Sequence, residues 1–529
     1  MLLMKRAKNY SGAKTVYFNP EISLCPHCSI PLKRSHIAWQ KNIFALKGTF
    51  HVTSHAYRCA NKACMQPQTV YRSTEAEMLS LKYYQFSLDV IAKVGHLRFN
   101  EHATIRQTRR TLKKRFKLQI SRSEVNLLCQ VYLALIKANR QHDTAFLEKL
   151  RNNGGIVLSI DGLQPEKGNE TLWILRDVPT GEVLLAKNLS CADTQSIVSL
   201  LKEIKALNVP VKGVISDGQK SIRLAVAQEF PGVPHQLCHF HFLRNIAKPV
   251  SDMDRALKVD LKKKVRGIRM VEKKATLRNG EKAKVILNYC KAIRVALSDD
   301  GVYPLKPGGL RLYRRLRKIQ QSIQKNNKPK PDKDLERLLK VLCIVDELKT
   351  RHRRISRLYK LIFEASNILG QRDVKAEKVQ ADMQTYIDRL GNPCFRRQEE
   401  KAAVLNILKF TASHWEGLFF HYDHVEIPRT NNDLEVFNRS LKAAHRKTTG
   451  RASCQGYIVR YGAYVALLDS LVCQRDTLVG LRSVSYGAFR RCFGEIRSFR
   501  CRLSFKRYLS KVLEGFLRDQ ERCWAKITV

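Results

Sequence analysis

Apolar positions in the central third of the chain predict a β-sheet with flanking helices. Residues 155–162 form an almost continuous apolar run, which is typical of a strand buried on both faces. A Pro-Thr-Gly turn then separates two further apolar runs, so we expect a β-hairpin. The predicted order is three strands, a helix, a strand and a helix, over residues 155–162, 171–177, 182–186, 194–207, 211–217 and 219–229.

Helical periodicity dominates on both sides of this sheet. Residues 76–141 are predicted to form helices, one of which begins after an N-cap at Ser121 or Ser123. Residues 251–410 are rich in Lys, Arg, Leu and Ile and repeat their apolar positions at helical spacing, with an exposed break expected at residues 326–331. A segment of this length is too long to be a loop, so we expect an all-helical insertion.

Length and charge narrow the class of protein. At 529 residues the chain is too long for one core, so we expect three or more domains. Lys and Arg number 96 against 47 acidic residues, and this net charge of +49 indicates a polyanionic partner. An RNA-binding or ribosomal protein could have the same balance, so charge alone indicates only a nucleic acid.

The sequence also indicates a compartment. Residues 1–10 contain charges before any apolar segment, so no signal peptide is predicted, and no apolar run is long enough to span a membrane. We expect a cytoplasmic, nucleoid-associated protein with a bacterial host, or a nuclear one in a eukaryote. The 15 cysteines are then interpreted as a metal site and buried thiols rather than as disulfides.

Four cysteines near the N-terminus have the spacing of a zinc site. Cys25 and Cys28 form a C-x2-C pair, and Cys59 and Cys64 form a C-x4-C pair 30 residues later. Two such pairs on hairpin-like turns favour a tetrahedral structural zinc over four unrelated buried thiols. If one cysteine is not a ligand, the spare candidates are His27, His51 and His55.

Basic residues crowd the predicted helix that precedes Ser121. They are Arg106, Arg109, Arg110, Lys113, Lys114 and Arg115, and Arg122 opens the next helix. A helix-turn-helix would place such a pair of helices against the major groove and phosphates of DNA. The alternative is a helical bundle with a solvated basic face.

Two aspartates end predicted strands. Asp161 follows the first strand and Asp217 the fourth, each directly before a glycine. If those strands are parallel neighbours, both carboxylates lie at one edge of the sheet, where they could hold two divalent ions about 3.5–4 Å apart. The alternative is that each Asp-Gly pair only forms a turn. The matched positions in a strongly basic chain favour metal binding.

The order of these elements resembles a known family. A strand ending in Asp161, a hairpin, a helix, a strand ending in Asp217 and then the C-x-x-H pair Cys238 and His241 resemble the DDE transposases. The similarity is closest to the Mutator-like and related bacterial insertion-sequence transposases. This resemblance implies an RNase H-like core in which Cys238 and His241 support the active site. A second zinc site that includes His235 or His239, or a buried structural pair, are the alternatives for these two residues.

The resemblance also implies a third carboxylate on a later helix. Residues 430–435 (TNNDLE) are similar to the family's T-N-x-x-x-E pattern, which assigns this role to Glu435. Asp433 and Glu426 are rival candidates, although an acid near a helix start, such as Asp433, is also favoured by the helix dipole.

The predicted helix after residue 430 has two stripes. Glu435, Asn438, Arg439 and Lys442 fall on one stripe, and Leu434, Phe437 and Leu441 form an apolar stripe beside it. The basic residues of this helix are expected to contact DNA phosphates, with a solvated basic face as the alternative; they are Arg439, Lys442, Arg446 and Lys447.

Together with the resemblance, which implies the RNase H-like core, these observations predict an α/β RNase H-like catalytic core with a mixed five-stranded sheet and a large all-helical insertion, preceded by a zinc ribbon and a helix-turn-helix-like DNA-binding domain. The expected boundaries are 1–75 for the zinc ribbon, 76–150 for the DNA-binding domain, 151–250 for the first part of the core, 251–410 for the insertion, 411–470 for the core helix with Glu435, and 471–529 for a basic helical tail.

The resemblance implies a DNA transposase. Asp161, Asp217 and Glu435 would hold two Mg²⁺ (or Mn²⁺) ions for DNA cleavage and strand transfer, and the N-terminal domains would bind terminal inverted repeats. Double-stranded DNA, at element ends and target, is the expected partner, and a homodimer or higher homo-oligomer is expected because two ends must meet. The alternatives are a domesticated transposase that acts as a DNA-binding regulator, and an RNase H-like nuclease without strand transfer.

Overall fold

The structure is a computed structural model that describes residues 12–140, 144–164, 170–298, 301–329, 331–391, 397–450, 455–468 and 474–527. The predictions made on residues 1–10 and on Lys330 lie outside the described residues. The chain divides into two compact units: unit 1 comprises residues 1–211 and 432–529, and unit 2 comprises residues 212–431.

Unit 1 begins with a three-stranded sheet. Its strands are β1 (Lys14–Phe18), β2 (Leu32–Ala45) and β3 (Gly48–Cys59), in the order β1-β3-β2. β2 and β3 form an antiparallel hairpin whose register pairs Ala45 with Gly48, and β1 runs parallel to β3. Gly48 has a φ of +134°, which residues with a Cβ atom rarely adopt. A glycine therefore suits this position at the turn of the hairpin.

Helices follow the hairpin within unit 1. They are α1 (Thr74–Glu77), α2 (Leu88–Gly95), α3 (Ile105–Phe116), α4 (Arg122–Arg140) and α5 (Thr144–Asn152), with a π-helical turn at His96–Asn100. Ser121 is the N-cap of α4, because its Oγ accepts the Glu124 N–H at 3.1 Å and the Glu124 carboxylate accepts the Ser121 N–H at 2.7 Å. The structure therefore selects Ser121 over Ser123.

The strands predicted in the central third are confirmed. β4 (Ile156–Leu163), β5 (Thr171–Asp177) and β6 (Val183–Leu189) are antiparallel neighbours in the order β6-β5-β4, followed by α6 (Thr194–Lys205). The buried Asp177 carboxylate shapes the hairpin turn, since it accepts the Val157 and Thr180 N–H groups, each at 3.0 Å.

Unit 2 starts within β7 and is mostly helical. β7 (Val211–Ser216) pairs in parallel with β8 (His235–Leu237) and α7 (Lys220–Glu229) connects them. The remaining helices share one apolar core; they are α8 (His239–Val265), α9 (Ile268–Thr276), α10 (Glu281–Ser298), α11 (Gly308–Asn327), α12 (Lys333–Leu342), α13 (Ile344–Glu347), α14 (Lys349–Ile368), α15 (Ala376–Gly391), α16 (Gln398–His414) and α17 (Phe420–Asp423), with a 3₁₀ turn at Trp415–Gly417.

The chain then returns to unit 1 with four helices and a 3₁₀ turn at Ala466–Leu468. The helices are α18 (Asn432–Thr449), α19 (Gln455–Val465), α20 (Gln474–Ser483) and α21 (Tyr486–Ile527). The apolar core of unit 1 joins α2, α4, β4, β5, α18, α19 and α21. Strands β4 to β8 make up a mixed five-stranded sheet, as predicted. Within the described residues, none of the helices combines the length and apolarity needed to span a bilayer.

Candidate functional site

Four cysteine side chains of unit 1 converge on one point. The Sγ atoms of Cys25, Cys28, Cys59 and Cys64 all lie within 4.8 Å of one another. Cys25 and Cys64 are 3.8 Å apart, and Cys28 and Cys59 are 3.4 Å apart. Four thiolates at a Zn–S distance of about 2.3 Å form a tetrahedron with edges of about 3.8 Å. The sulfur spacing therefore fits a zinc ion, as the paired sequence spacing predicts.

Backbone amides point at two of these sulfurs. The Asn61 N–H donates to Cys59 Sγ at 3.4 Å. The backbone N–H of His27 is the largest influence on Cys25, and the pKa of this thiol is lowered to about 6. Burial, by contrast, raises the pKa of Cys59 to about 12, and the pKa of Cys64 is also raised. Since the thiolate is the zinc ligand, the lowered pKa favours metal binding at neutral pH at Cys25.

Two of the three spare histidines have other partners. His51 contacts Asn42 Oδ1 through Nδ1 and Gln40 Nε2 through Nε2, both at 2.7 Å. His55 Nδ1 lies 2.9 Å from Asn19 Oδ1. Among the described residues, the four cysteines therefore form the ligand group without help from these two histidines.

A second polar centre of unit 1 lies where α18 packs on β4. Asp161 is the half-buried residue near the end of β4, and its Oδ1 accepts the Gly162 N–H at 2.9 Å. The other carboxylate oxygen, Oδ2, accepts a hydrogen bond from Asn438 Nδ2 at 2.7 Å. This bond connects two residues that are 277 positions apart in the sequence.

Helix α18 carries Glu435 on the same side as Asn438. Residues three apart on a helix are neighbours, with Cβ atoms about 5–6 Å apart. Leu434, Phe437 and Leu441 are buried and hold the helix in the unit 1 core. Glu435 is half-buried one turn before Asn438, whereas the rivals Asp433 and Glu426 are exposed.

The amide of Asn438 offers a further oxygen at this centre. Its orientation follows from the hydrogen bond to Asp161, which requires the NH₂ group on that side. The other amide atom, Oδ1, is buried, and no described residue donates a hydrogen bond to it. A buried acceptor beside a carboxylate, with a second carboxylate one helical turn away, is a set of hard oxygen ligands that suits Mg²⁺ or a water bound to it.

Asp217 is part of unit 2 and directly follows β7, which ends at Ser216. Its Oδ1 accepts the Gln219 N–H at 2.9 Å, which is an Asx-turn. Gly218 has a φ of +82°, and a Cβ atom there would lie 3.0 Å from His414 Nε2. The His414 ring thus packs against the backbone directly after Asp217.

His414 has the electrostatic environment of a buried neutral base. Burial lowers its pKa and the nearby Arg223 lowers it further, while the Asp217 carboxylate acts in the opposite direction. His414 Nδ1 lies 2.8 Å from Ser413 Oγ, which leaves Nε2 as the ring nitrogen close to Gly218. No sequence motif indicated this residue, because α16 is far from Asp217 along the chain.

Cys238 and His241 lie at the start of α8, where Cys238 is the N-cap residue. The buried Cys238 Sγ accepts the Asn431 N–H at 3.3 Å, so the thiol holds the segment that leads to α18. His239 Nε2 donates to the Leu418 carbonyl at 2.7 Å, and His235 Nε2 lies 2.8 Å from Ser216 Oγ. These contacts within unit 2 are structural, and no metal-ligating group of three or more was found among the described residues there.

The predicted DNA-contacting side chains of unit 1 are mostly exposed and carry excess positive charge. Seven of these side chains are exposed or half-buried and form no ion pair with a described residue. They are Arg106, Arg110, Arg122, Arg439, Lys442, Arg446 and Lys447. Burial lowers the pKa of His102, which lies just before α3, and the charge of the nearby Lys447 lowers it further. Arg109 differs, because its Nε donates to the Ile120 carbonyl at 2.8 Å and joins α3 to the α4 turn.

Comparisons with known proteins bear on the region around Asp217. Residues 190–245 match the MULE transposase domain, and this segment includes Asp217, Cys238 and His241. The resemblance to Mutator-like transposases is therefore confirmed over these residues. No curated protein is significantly similar to the chain.

Solved structures that are similar to the chain include the Drosophila P element transposase strand transfer complex. This match has 12% identity, covers 76% of this chain and 96% of that chain, and has a TM-score of 0.31.

Proposed function

We propose that this chain, which carries a transposase domain over residues 190–245, is a DDE-type DNA transposase. It would bind the terminal inverted repeats of its element and catalyse metal-dependent cleavage and strand transfer. The carboxylates assigned to catalysis are Asp161, Asp217 and Glu435. This assignment combines the matched segment around Asp217 with the polar centre of unit 1.

One observation carries the proposal: the hydrogen bond from Asn438 to Asp161 at 2.7 Å. It attaches the helix of Glu435 to the strand of Asp161 across a long insertion. A bond of this kind to a charged group is worth about 1.5–3 kcal/mol and fixes the direction of the carboxylate. A purely structural β4–α18 contact would need no half-buried acid at Asp161 or at Glu435.

Each residue then has a defined task. Asp161 and Glu435 would supply carboxylate oxygens, and Asn438 would orient Asp161 through Nδ2 while its Oδ1 accepts a hydrogen bond from bound water. Mg²⁺, when bound, would stabilise negative charge on the scissile phosphate and lower the pKa of an attacking hydroxyl or water. No side chain is assigned as a covalent nucleophile.

DNA affinity would come from the basic residues of α3 and α18. Phosphate contacts position a protein on DNA and make the affinity depend on salt. The α3–α4 segment is proposed as a helix-turn-helix-like reader, and the four-cysteine ribbon, with structural zinc, as a second DNA contact. The net charge of +49 supports a polyanionic partner.

The test incubates the purified chain with Mg²⁺ and labelled DNA that carries the candidate terminal repeats. Cleavage followed by joining to a target supports the proposal. Cleavage alone indicates a nuclease, and binding alone indicates a regulator. Asp161→Asn and Glu435→Gln should each abolish cleavage and leave binding intact, whereas the exposed Asp433→Asn, on the same helix, is the matched control and should cleave normally.

A further inference from the structure

Helix α21 is 42 residues long and changes its surroundings along its length. Its first part packs on α4 in the unit 1 core, where Phe489, Cys492 and Ile496 are at most 4% exposed. At Val512 the backbone leaves helical geometry, with φ −128° and ψ 27°, before the helix continues. All side chains described after this point are exposed except the half-buried Phe516.

The exposed part of α21 has an apolar stripe. Leu513, Leu517, Gln520 and Trp524 follow one another at steps of four, three and four residues, which is the spacing of a coiled-coil seam. Leu513 is 54% exposed, Leu517 49% and Trp524 67%. Large apolar side chains in such a row on a monomeric protein indicate a surface that another molecule covers.

The distribution of charge along α21 indicates which kind of molecule covers this apolar stripe. Residues 486–511 contain eight basic residues and one acid, as expected for a segment near DNA. Residues 512–525 contain two basic and three acidic residues and are close to neutral. In a chain of +49 this neutrality disfavours a DNA phosphate contact and removes the repulsion that would keep two copies apart.

We propose that residues 512–525 form a self-association surface that pairs with the same residues of a second copy of this chain. A two-fold contact of this kind uses one patch twice, so the patch must be complementary to itself. A neutral helix with one apolar seam fulfils this condition. The polar Gln520 within the seam weakens the contact and fixes its register. The inference stands independently of the proposed catalysis, although a protein that joins two DNA ends needs two copies.

The experiment measures the molar mass of the full-length, nuclease-treated protein by sedimentation velocity in 0.5 M salt, roughly the range in which phosphate-driven binding is strongly weakened. We expect a concentration-dependent dimer. Leu513→Glu combined with Leu517→Glu should raise the dissociation constant by about tenfold or more, because two charges then enter an apolar seam. The matched control, Arg518→Gln with Arg522→Gln, changes the net charge by the same two units outside the seam and should leave the dimer intact.

A strengthening variant separates loss of association from loss of folding. Gln520→Leu completes the apolar seam and should lower the dissociation constant by roughly tenfold. A chain that stays monomeric at every concentration overturns the proposal. So does a dimer that the Leu513→Glu/Leu517→Glu variant does not weaken, or one that Gln520→Leu does not strengthen. Because DNA and divalent ions are absent, these results do not depend on whether the chain cleaves DNA.

Discussion

Replacing Asn438 with aspartate tests the electrostatics of the polar centre of unit 1, which consists of Asp161, Glu435 and Asn438. In the native chain an amide donates to Asp161 at 2.7 Å, and the variant places a second carboxylate at that position. Two unit charges about 4 Å apart repel by about 4 kcal/mol at an effective dielectric constant of 20. The variant also loses a charge-assisted hydrogen bond that is worth about 1.5–3 kcal/mol. One carboxyl group can escape part of this cost by remaining protonated.

We therefore expect Asn438→Asp to lower the free energy of unfolding of unit 1 by about 2–4 kcal/mol at pH 7 without divalent ions. The assay is thermal unfolding, in which a change of this size lowers the melting temperature by roughly 5 °C. Asn432→Asp is the matched control, because it makes the same change at the exposed start of the same helix, where an acid is favourable.

The pH dependence and the response to metal sharpen this test. Repulsion raises the pKa of the carboxyl pair above its value in the unfolded chain, so the loss of stability is present at neutral pH. It disappears as the pH falls through the raised pKa. Added Mg²⁺ should restore more stability to Asn438→Asp than to the control. If Asn438→Asp melts at the same temperature as Asn432→Asp without metal, the geometry inferred around Asp161 is wrong.

Three further predictions concern other parts of the molecule. Changing any one of the four clustered cysteines to serine should reduce bound zinc from about one per chain, measured by atomic emission, and loosen the ribbon. Gly218→Ala should destabilise unit 2 by about 1–3 kcal/mol more than Gly232→Ala, because both have a positive φ but only the Cβ at 218 would meet His414; equal melting temperatures would contradict this. Arg110→Ala should reduce DNA affinity, lower the slope of log K against log salt concentration by about 1, and leave the stability unchanged. Arg109→Ala should instead lower the free energy of unfolding by roughly 1 kcal/mol, because it removes the hydrogen bond to Ile120. DNA-binding titrations and unfolding titrations of both variants measure the two effects separately.

The fold elements that the sequence predicts well are those whose local pattern determines them. The first strand is a buried apolar run, and β4 follows that run from Ile156 to Leu163. The spacing of the four cysteines predicts that their side chains converge, because each pair is separated by only a few residues. The N-cap of α4 remained open between two serines, although Glu124 three residues after Ser121 is the partner of a capping box.

The parts of the site that could not be predicted depend on distant residues. Asn438 was on the predicted polar stripe, yet nothing in its neighbours indicated that it would bind Asp161. His414 lies at the end of α16, and its contact with the backbone after Asp217 arises from the packing of unit 2. Arg109 looked like its basic neighbours, and only the turn at Ile120 gives it a structural task. Tertiary contacts of this kind have no signature in a single sequence.

The division of unit 1 into two separate stretches of sequence has a consequence for how the protein is made. The strand of Asp161 leaves the ribosome long before α18, and at about 5–20 residues per second the 220 residues of unit 2 take on the order of 10–40 s to translate. During that time the nascent chain lacks Glu435 and the amide that orients Asp161. A chain that is truncated before α18 by a premature stop or an aborted round of translation therefore cannot assemble this centre, and under the proposed function such an incomplete product cannot cleave DNA.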